Sequence, residues 1–559
     1  MAKISGSQLI AKSLQSHGID TLFGIAGDHF LHLLDVLVDE PFRMIDTRHE
    51  GAASHAADAY ARTLRRPGVV LSTTPGHANA LPGLANAMHS QAPIINIAGA
   101  SDSRNLGRGA MQEFDQVGAA APITKGAWQI PSADRIPEYI NLAVRTSMTG
   151  KRGPTHLTIP QDIQEAMVDD DVLDRYGIGE NSMPLAVSGD PGQVAAAIEI
   201  LKNSERPMII AGTGAGATAM PEELKRLVET MGIPITTTDS ARGLISDDHD
   251  LSIGFGYLPL NKAVARVREA DAVLFLGQQL DYTWGLGGTP PFADGVKRIS
   301  VDPSPYHLGT SRSVDVAILG DVGPVITQMA DAAEKQSWPS FTAWNKSLQD
   351  ERQKHQAELS ELAVESDPPH PMFVSETLQK HITPETPMVF DGGDYAHFFR
   401  ASVPAHDSQR WLYVSSFGMI GINMPYALGL QVALPNHRVV CVTGDGSFGF
   451  HGLELDTMVR HNLPVITIVG NNSIWGIDWQ IQKGLYGRPV WTDLLPTRWD
   501  KVAEGLGAYA ENVEHAADLD GAMTRAFAQE KPALLNVNIE QVISPVAQEA
   551  VERKLGAHG

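Results

Sequence analysis

The sequence predicts an α/β protein of three domains, each built on a parallel sheet flanked by helices. Three observations predict it. Short β-branched apolar runs alternate with amphipathic stretches along most of the chain, the pattern of strands joined by crossover helices. The 559 residues, 43% of them hydrophobic, suffice for several separate cores, since a compact unit takes roughly 100–200 residues. Two polar, aperiodic stretches, 165–190 and 334–370, cut the chain into thirds. These give domains at 1–170, 188–335 and 365–545 and a tail at 546–559. The second stretch contains a charged surface helix before the proline-rich SDPPHP. No short-period repeat is present, which excludes solenoids and propellers.

Composition removes several function classes. With 43 Lys+Arg against 65 Asp+Glu the net charge is −22, and such a field repels nucleic acids and anionic membrane surfaces. An anionic ligand must then meet local cations, helix N-termini or a metal. The single cysteine, Cys441, excludes an intramolecular disulfide framework and fits a reducing compartment. The start, MAKISGSQLIAKSLQSHG, lacks an apolar signal core, and no apolar run reaches the ~18–20 residues of a membrane span. The expectation is a cytoplasmic protein.

In the first third, the short strand of MIDTRHE ends before Glu50, and GIAGDHF carries Asp28 and His29. The middle third carries AGTGAGA, 211–217, a glycine signal that leaves open ADP, FAD or a plain turn,. In the last third, VVCV runs into Gly444-Asp445-Gly446, a helical stretch follows, and Val465–Val469 runs into Asn471-Asn472. This is a βαβ unit with its two strand ends side by side, where open α/β sheets bind ligands. Asp445 and Asn472 can reach one hard cation through oxygen while the glycines approach a diphosphate.

The run 439–476 resembles the thiamine-diphosphate (ThDP) enzymes, whose signature is GDG followed by NN at this separation. The resemblance implies the ThDP-binding fold, in the order pyrimidine, central and diphosphate domains. It implies that Asp445, Asn472 and the Ile474 carbonyl ligate Mg²⁺, and that Gly392, Gly444, Gly446, Ser447, Asn472 and Trp475 surround the cofactor. It implies that Glu50 hydrogen-bonds N1′ of the aminopyrimidine and promotes the tautomer that deprotonates the thiazolium. In SSFGMIGINMPYALG, 415–429, the Gly418 carbonyl receives the amino group and Ile420 is the apolar wedge between the rings. Glu50 and Asp445 fall in different domains, and in this family two subunits complete a site. A homodimer is the minimum and a homotetramer usual. The resemblance also makes ADP the expected nucleotide if the central domain holds one.

Three runs suggest the reaction. RGAMQEFDQVGAAAPITKGAW, 108–128, is similar to benzaldehyde lyase and to the oxalyl-CoA decarboxylase and 2-hydroxyacyl-CoA lyase group. GQQLDYTWGLGGTPPF, 277–292, and SARGLISDDH, 240–249, resemble the central domains of the CoA-linked enzymes. The expectation is a reversible lyase cleaving a 2-hydroxyacyl-CoA to formyl-CoA and an aldehyde or ketone. A proton carrier is then needed. Asp493 in VWTDLLPTRWD stands where related lyases place a carboxylate on a short helix, though an acid before LL also suits a helix cap. His29 is the rival, since benzaldehyde lyase has a histidine at the matching position. Gln112 is expected to orient the substrate carbonyl unless Met111 faces the pocket instead. His77 in TTPGHAN receives no chemistry. Apolar Ile420, Trp475 and Leu494 hint at an aliphatic or aryl acyl group. Gly392-Gly393-Asp394 departs from the family's run, putting an extra acid near the cofactor and disfavouring a substrate carboxylate. Arg553 and Lys554 offer charge for a CoA phosphate or belong to a frayed helix end. The alternatives are a CoA-independent lyase or carboligase of benzaldehyde lyase or acetolactate synthase type, and a catalytically silent ThDP-fold binding protein.

Overall fold

The computed structural model describes residues 2–175, 185–218 and 220–556. Its frame is three six-stranded sheets, in which every pairing is parallel. The N-terminal sheet takes, in chain order, strands Thr21–Gly24, Arg43–Asp46, Gly68–Ser72, Ile94–Ala100, Ala127–Gln129 and Thr155–Pro160. The C-terminal sheet takes Met388–Asp391, Trp411–Tyr413, Val440–Gly444, Ile466–Asn471, Tyr509–Val513 and Ala533–Asn538. Numbered within each sheet, both have the order 2-1-3-4-6-5. The central strands, Pro207–Ala211, Ile235–Thr237, Ser252–Phe255, Ala272–Leu276, Lys297–Asp302 and Val316–Leu319, have the order 3-2-1-4-5-6, the dinucleotide-fold order,. The shared order of the outer sheets was invisible in their unlike sequences.

Most of these strands read as unbroken apolar runs because both faces are covered. Ile94, Ile95, Ile97 and Val440 to Val442 are buried along with their helices,. One pairing is antiparallel, Lys3–Ser5 with Met167–Asp169. It holds residues expected in the first linker onto the N-terminal unit, and helix Val172–Arg175 follows. Residues 176–184 of that linker lie outside the described residues. The charged helix of the second linker, Thr342–Ser360, buries Trp344, Leu348 and Leu359. The Trp344 indole N–H donates to the Pro207 carbonyl at 3.1 Å, which ties the helix to the central sheet.

The outer units pack directly on each other within one chain. Helix Glu50–Leu64 lies along helix Asn423–Ala433, and both are rich in alanine at the seam, so the backbones approach closely. Gly429 meets the Ala56 carbonyl with no room for a Cβ. Phe23, Ala56 and Tyr60 share one core with Met424, Tyr426 and Leu430. Buried Asp58 crosses the seam by accepting the Tyr426 hydroxyl at 2.9 Å, with Asn86 at 3.0 Å and Ser90 at 2.8 Å on its own side. This packing fixes the helix that begins at Glu50.

Candidate active site

In the C-terminal sheet the strand order reverses between Met388–Asp391 and Val440–Gly444. The crevice beyond their carboxyl ends is the expected ligand position. Gly392 has φ +90°, and a Cβ there would stand 3.1 Å from the Gly444 nitrogen and 3.3 Å from Ser447 Oγ. Only glycine leaves this cradle open. At Gly446 a Cβ would stand 2.7 Å from the Trp475 ring. Gly392, Gly444, Gly446, Ser447 and Trp475 therefore converge.

Strand Ile466–Asn471 runs beside Val440–Gly444, with Gly444 opposite Gly470. The chain then turns at Ser473, φ +57°. Asp445 is buried and accepts the Ser473 N–H at 3.1 Å. Burial pushes its carboxyl up to about 6, and among the described residues no cationic side chain pairs with it. Asn472 Oδ1 accepts the Ile474 N–H at 3.3 Å. Ile474 bridges to Asp493 through bonds made by its neighbours, Trp475 N–H to the Thr492 carbonyl at 2.8 Å and Leu494 N–H to the Ser473 carbonyl at 2.7 Å. The Ile474 carbonyl stays out of this pairing. A carboxylate, an amide oxygen and a backbone carbonyl form a hard donor set that fits Mg²⁺, which would also supply the charge that Asp445 lacks.

Asp391, which the sequence reading did not single out, organises the loop beside this cradle. Fully buried at the end of its strand, it accepts N–H groups from Gly392 at 2.6 Å, Gly421 at 2.8 Å and Asn423 at 3.1 Å, and the Asn423 amide at 3.0 Å. These bonds shape the loop that presents Gly418 and Ile420. Burial outweighs them and raises its carboxyl to about 6. Gly418, φ +72°, has open space beside it, and Ile420 is half-buried rather than core. Its one sequence signal was the acid at a strand end before two glycines.

On the N-terminal unit, Glu50 opens its helix and accepts the Asn79 amide at 3.0 Å. A Cβ on Gly76 would stand 2.5 Å from Glu50 Oε1, so that glycine makes space for the carboxylate. His29 is fully buried. Its Nδ1 accepts the Thr74 N–H at 3.5 Å and its Nε2 lies 3.4 Å from Ser101 Oγ, so the ring is read as Nε2–H. Burial lowers its basicity, which Asp28 and the Met111 carbonyl partly restore. Behind it runs a chain of buried bonds: the Gln116 amide donates to Thr74 Oγ1 at 2.8 Å, and its oxygen accepts the Thr158 hydroxyl at 2.8 Å. His77 sits in a helix, its Nδ1 2.9 Å from Asn96 Oδ1. Gln112, φ +55°, and Met111 are both exposed.

Two expectations need correction. Asp493 lies on no short helix and caps none. The strand-like bridge to Ile474 fixes its backbone and leaves the side chain exposed, because pairing with a segment some twenty residues earlier overrides the local preference. Asp394 does not face an open pocket. Its carboxylate is buried against the Ser544 hydroxyl at the start of helix Pro545–Gly556, and burial, aided by Asp478, lifts it to about 7. Its repulsion of a substrate carboxylate falls away. Arg553 and Lys554 are exposed in the last turn of that helix, which packs Val551 against Gly484. Residues 557–559 of the tail lie outside the described residues.

The central sheet reverses between Pro207–Ala211 and Ala272–Leu276. A small recess there, about 50 Å³, is lined by Lys151, Thr213, Gly277, Gln278, Asp302 and His307. The glycine run meets it, since a Cβ on Gly214 would stand 2.9 Å from the Gly277 Cα.

The description "Thiamine pyrophosphate enzyme, N-terminal TPP binding domain" matches residues 4–119, the central domain of the same enzymes matches 194–329, and their C-terminal TPP binding domain matches 391–537. The chain belongs to the thiamine pyrophosphate enzymes. Its relatives in this family span its length. A probable acetolactate synthase of Mycobacterium bovis is 32% identical over 95% of each chain. Oxalyl-CoA decarboxylase of Escherichia coli is 30% identical over 97% of this chain and 95% of its own. Human 2-hydroxyacyl-CoA lyase 1 is 28% identical over 98% and 96%. As a thiamine pyrophosphate enzyme the chain carries the two cofactor-binding units as its outer sheets, and the cradle at Gly392, Gly444 and Ser447 falls inside the C-terminal match.

Proposed function

We propose that this thiamine pyrophosphate enzyme reversibly cleaves a 2-hydroxyacyl-CoA to formyl-CoA and an aldehyde or ketone. The observation that carries the reading is the oxygen set of Asp445, Asn472 and Ile474 beside the glycine cradle, with Glu50 held by Asn79 at 3.0 Å on the other cofactor unit. When bound, ThDP supplies the electron sink for breaking a carbon–carbon bond at a carbonyl carbon. The chain's own residues do the rest. Asp445, Asn472 and Ile474 hold Mg²⁺ and through it the diphosphate, Gly418 and Ile420 orient the rings, and Glu50 holds the proton at the aminopyrimidine. Gln112 would orient the substrate carbonyl, and His29 and Asp493 are the two candidates to carry the substrate's proton.

The thioester half is supported by the run 108–128 and by the CoA-linked relatives. Carboligation of 2-oxo acids is the second reading, favoured by the acetolactate synthase relatives. ADP in the central domain is part of the proposal, with Lys151 and Asp302 lining the recess at the point where the strand order reverses,. A homodimer or tetramer completes the site. Phe417, Phe450, Leu495 and Trp491, the last 96% exposed, are large apolar side chains open to solvent in a single chain, the kind a partner covers. Among the described residues no helix is long and apolar enough to cross a membrane, and the acidic charge disfavours nucleic acid. A cytoplasmic location remains part of the proposal.

The test incubates protein, ThDP and Mg²⁺ with 2-hydroxyacyl-CoA thioesters and measures formyl-CoA. Glu50→Gln is expected to lower turnover by about 10²-fold or more while ThDP binding, read by fluorescence quenching, persists. Turnover of pyruvate or benzoin with no formyl-CoA from any thioester would leave the second reading standing.

A further inference from the structure

A cavity of about 400 Å³ opens beyond strand Ile94–Ala100, lined by Ser101, Asp102, Asn105, Arg108, Met111 and Gln161. Ser101 stands between it and buried His29: its hydroxyl lies 3.4 Å from His29 Nε2 and donates to the Met111 carbonyl at 2.6 Å. Gln161 closes the same side by donating to the Asp28 carbonyl at 3.0 Å.

Arg108 stands on a turn built to display it. Gly107 and Gly109 both have φ +77°, a conformation that favours glycine. The turn wraps the Glu113 carboxylate, which accepts the N–H groups of Gly107, Gly109 at 3.2 Å and Ala110 at 3.1 Å. Glu113 thus spends its charge on the backbone. Nearby acids are also engaged: Asp102 pairs with Arg104 at 3.0 Å, and Asp162 accepts the Ser103 N–H at 2.9 Å and its hydroxyl at 2.6 Å. Among the described residues the Arg108 guanidinium has no ion-pair partner. On a chain of net charge −22, an unpaired arginine at a cavity edge is a local anion site.

The geometry points to Arg108 as the residue that binds a carboxylate carried by the substrate near its reacting carbon. The planar guanidinium matches a carboxylate with two parallel hydrogen bonds. A phosphate of CoA fits less well, since the whole pantetheine arm separates it from the thioester, whereas this cavity lies one side chain, Ser101, away from His29. The assignment rests on the reading that the cavity receives the substrate of a ThDP-dependent enzyme acting at a carbonyl carbon. It also replaces the neutral aliphatic or aryl group suggested by Ile420, Trp475 and Leu494 with an acidic one.

The test compares wild type with Arg108→Ala and Arg108→Lys on two thioesters, 2-hydroxymalonyl-CoA, whose free carboxylate is bonded to C2, and neutral 2-hydroxypropanoyl-CoA. The same proteins, loaded with ThDP and Mg²⁺, are titrated with pyruvate by calorimetry. Arg108→Ala is expected to lower the ratio of kcat/KM for the acidic over the neutral thioester on the order of 10- to 100-fold, chiefly through KM, and to weaken pyruvate binding similarly. Arg108→Lys should recover part of both. An unchanged ratio with unchanged pyruvate affinity would overturn the assignment, as would a wild type that binds neither carboxylate. Loss of pyruvate affinity in Arg108→Ala with no thioester turned over would keep the assignment and remove the lyase reading.

Discussion

Asp445 and Asp391 are both buried carboxylates, yet they answer to different partners. Asp445 receives a few backbone N–H groups and lacks a cation, so Asp445→Ala should abolish Mg²⁺-dependent ThDP binding while the fold remains, as cofactor titration with and without Mg²⁺ would show. Asp391 is saturated by donors from Gly392, Gly421 and Asn423. In Asp391→Asn the new NH₂ would face N–H groups. The expected cost is about 1–3 kcal/mol of stability by denaturant unfolding, with weaker ThDP binding as the Gly418 loop loosens. Asp445 was legible because its chemistry shows in a local motif. Asp391 was not, because its role lies in contacts with residues about thirty positions later.

At the scale of elements, the seam between helices Glu50–Leu64 and Asn423–Ala433 depends on the missing side chain at Gly429. Gly429→Val must push the helices apart or shift the Ala56 backbone, and about 1–3 kcal/mol or more of stability should be lost. Because Glu50 begins one of these helices, turnover should fall more than Mg²⁺ affinity, which belongs to the C-terminal unit alone. Parallel measurements of kcat and Mg²⁺ titration would reveal it. The βαβ unit from 440 to 471 was readable from alternating apolar runs and glycine punctuation. The stretch around Asp493 was not, since what orders it is contact with distant residues, the bridge to Ile474 and the Asn471 amide on the Thr497 carbonyl.

Across the whole molecule, buried histidines and carboxylates set the response to acid. His55 lies within the seam facing His49, His451 and Tyr426. Burial, then the two histidines, pushes it down to about 3. Unfolded, it takes a proton near 6.5, so from there down to about pH 3 the unfolded chain binds the proton that the folded one refuses, and stability is lost as pH falls. The loss is on the order of 4 kcal/mol at the bottom of that window, with buried His156 and His397 acting in the same direction. Asp391 and Asp445, raised to about 6, and Asp394 and Glu454, raised to about 7, oppose it, since the folded chain binds those protons first and gains stability as pH falls towards about 4,. The two sets offset each other, so the share of His55 shows in a comparison: His55→Phe should raise the thermal midpoint over wild type more at about pH 4 than at about pH 7 in scanning calorimetry.

The sequence by itself determined the three α/β units, the acidic charge, the GDG and NN motifs at Asp445 and Asn472, and through them the family. These reside in short motifs and local periodicity, which a linear reading detects. Tertiary structure alone decided that the outer sheets share one strand order, that Asp394 is turned toward Ser544, that His29 is walled in behind Ser101, and that Arg108 is left without a partner. Each depends on which distant segments come to lie beside one another. Burial and charge pairing are properties of that neighbourhood rather than of the residue, so they exist only once the chain has closed around them.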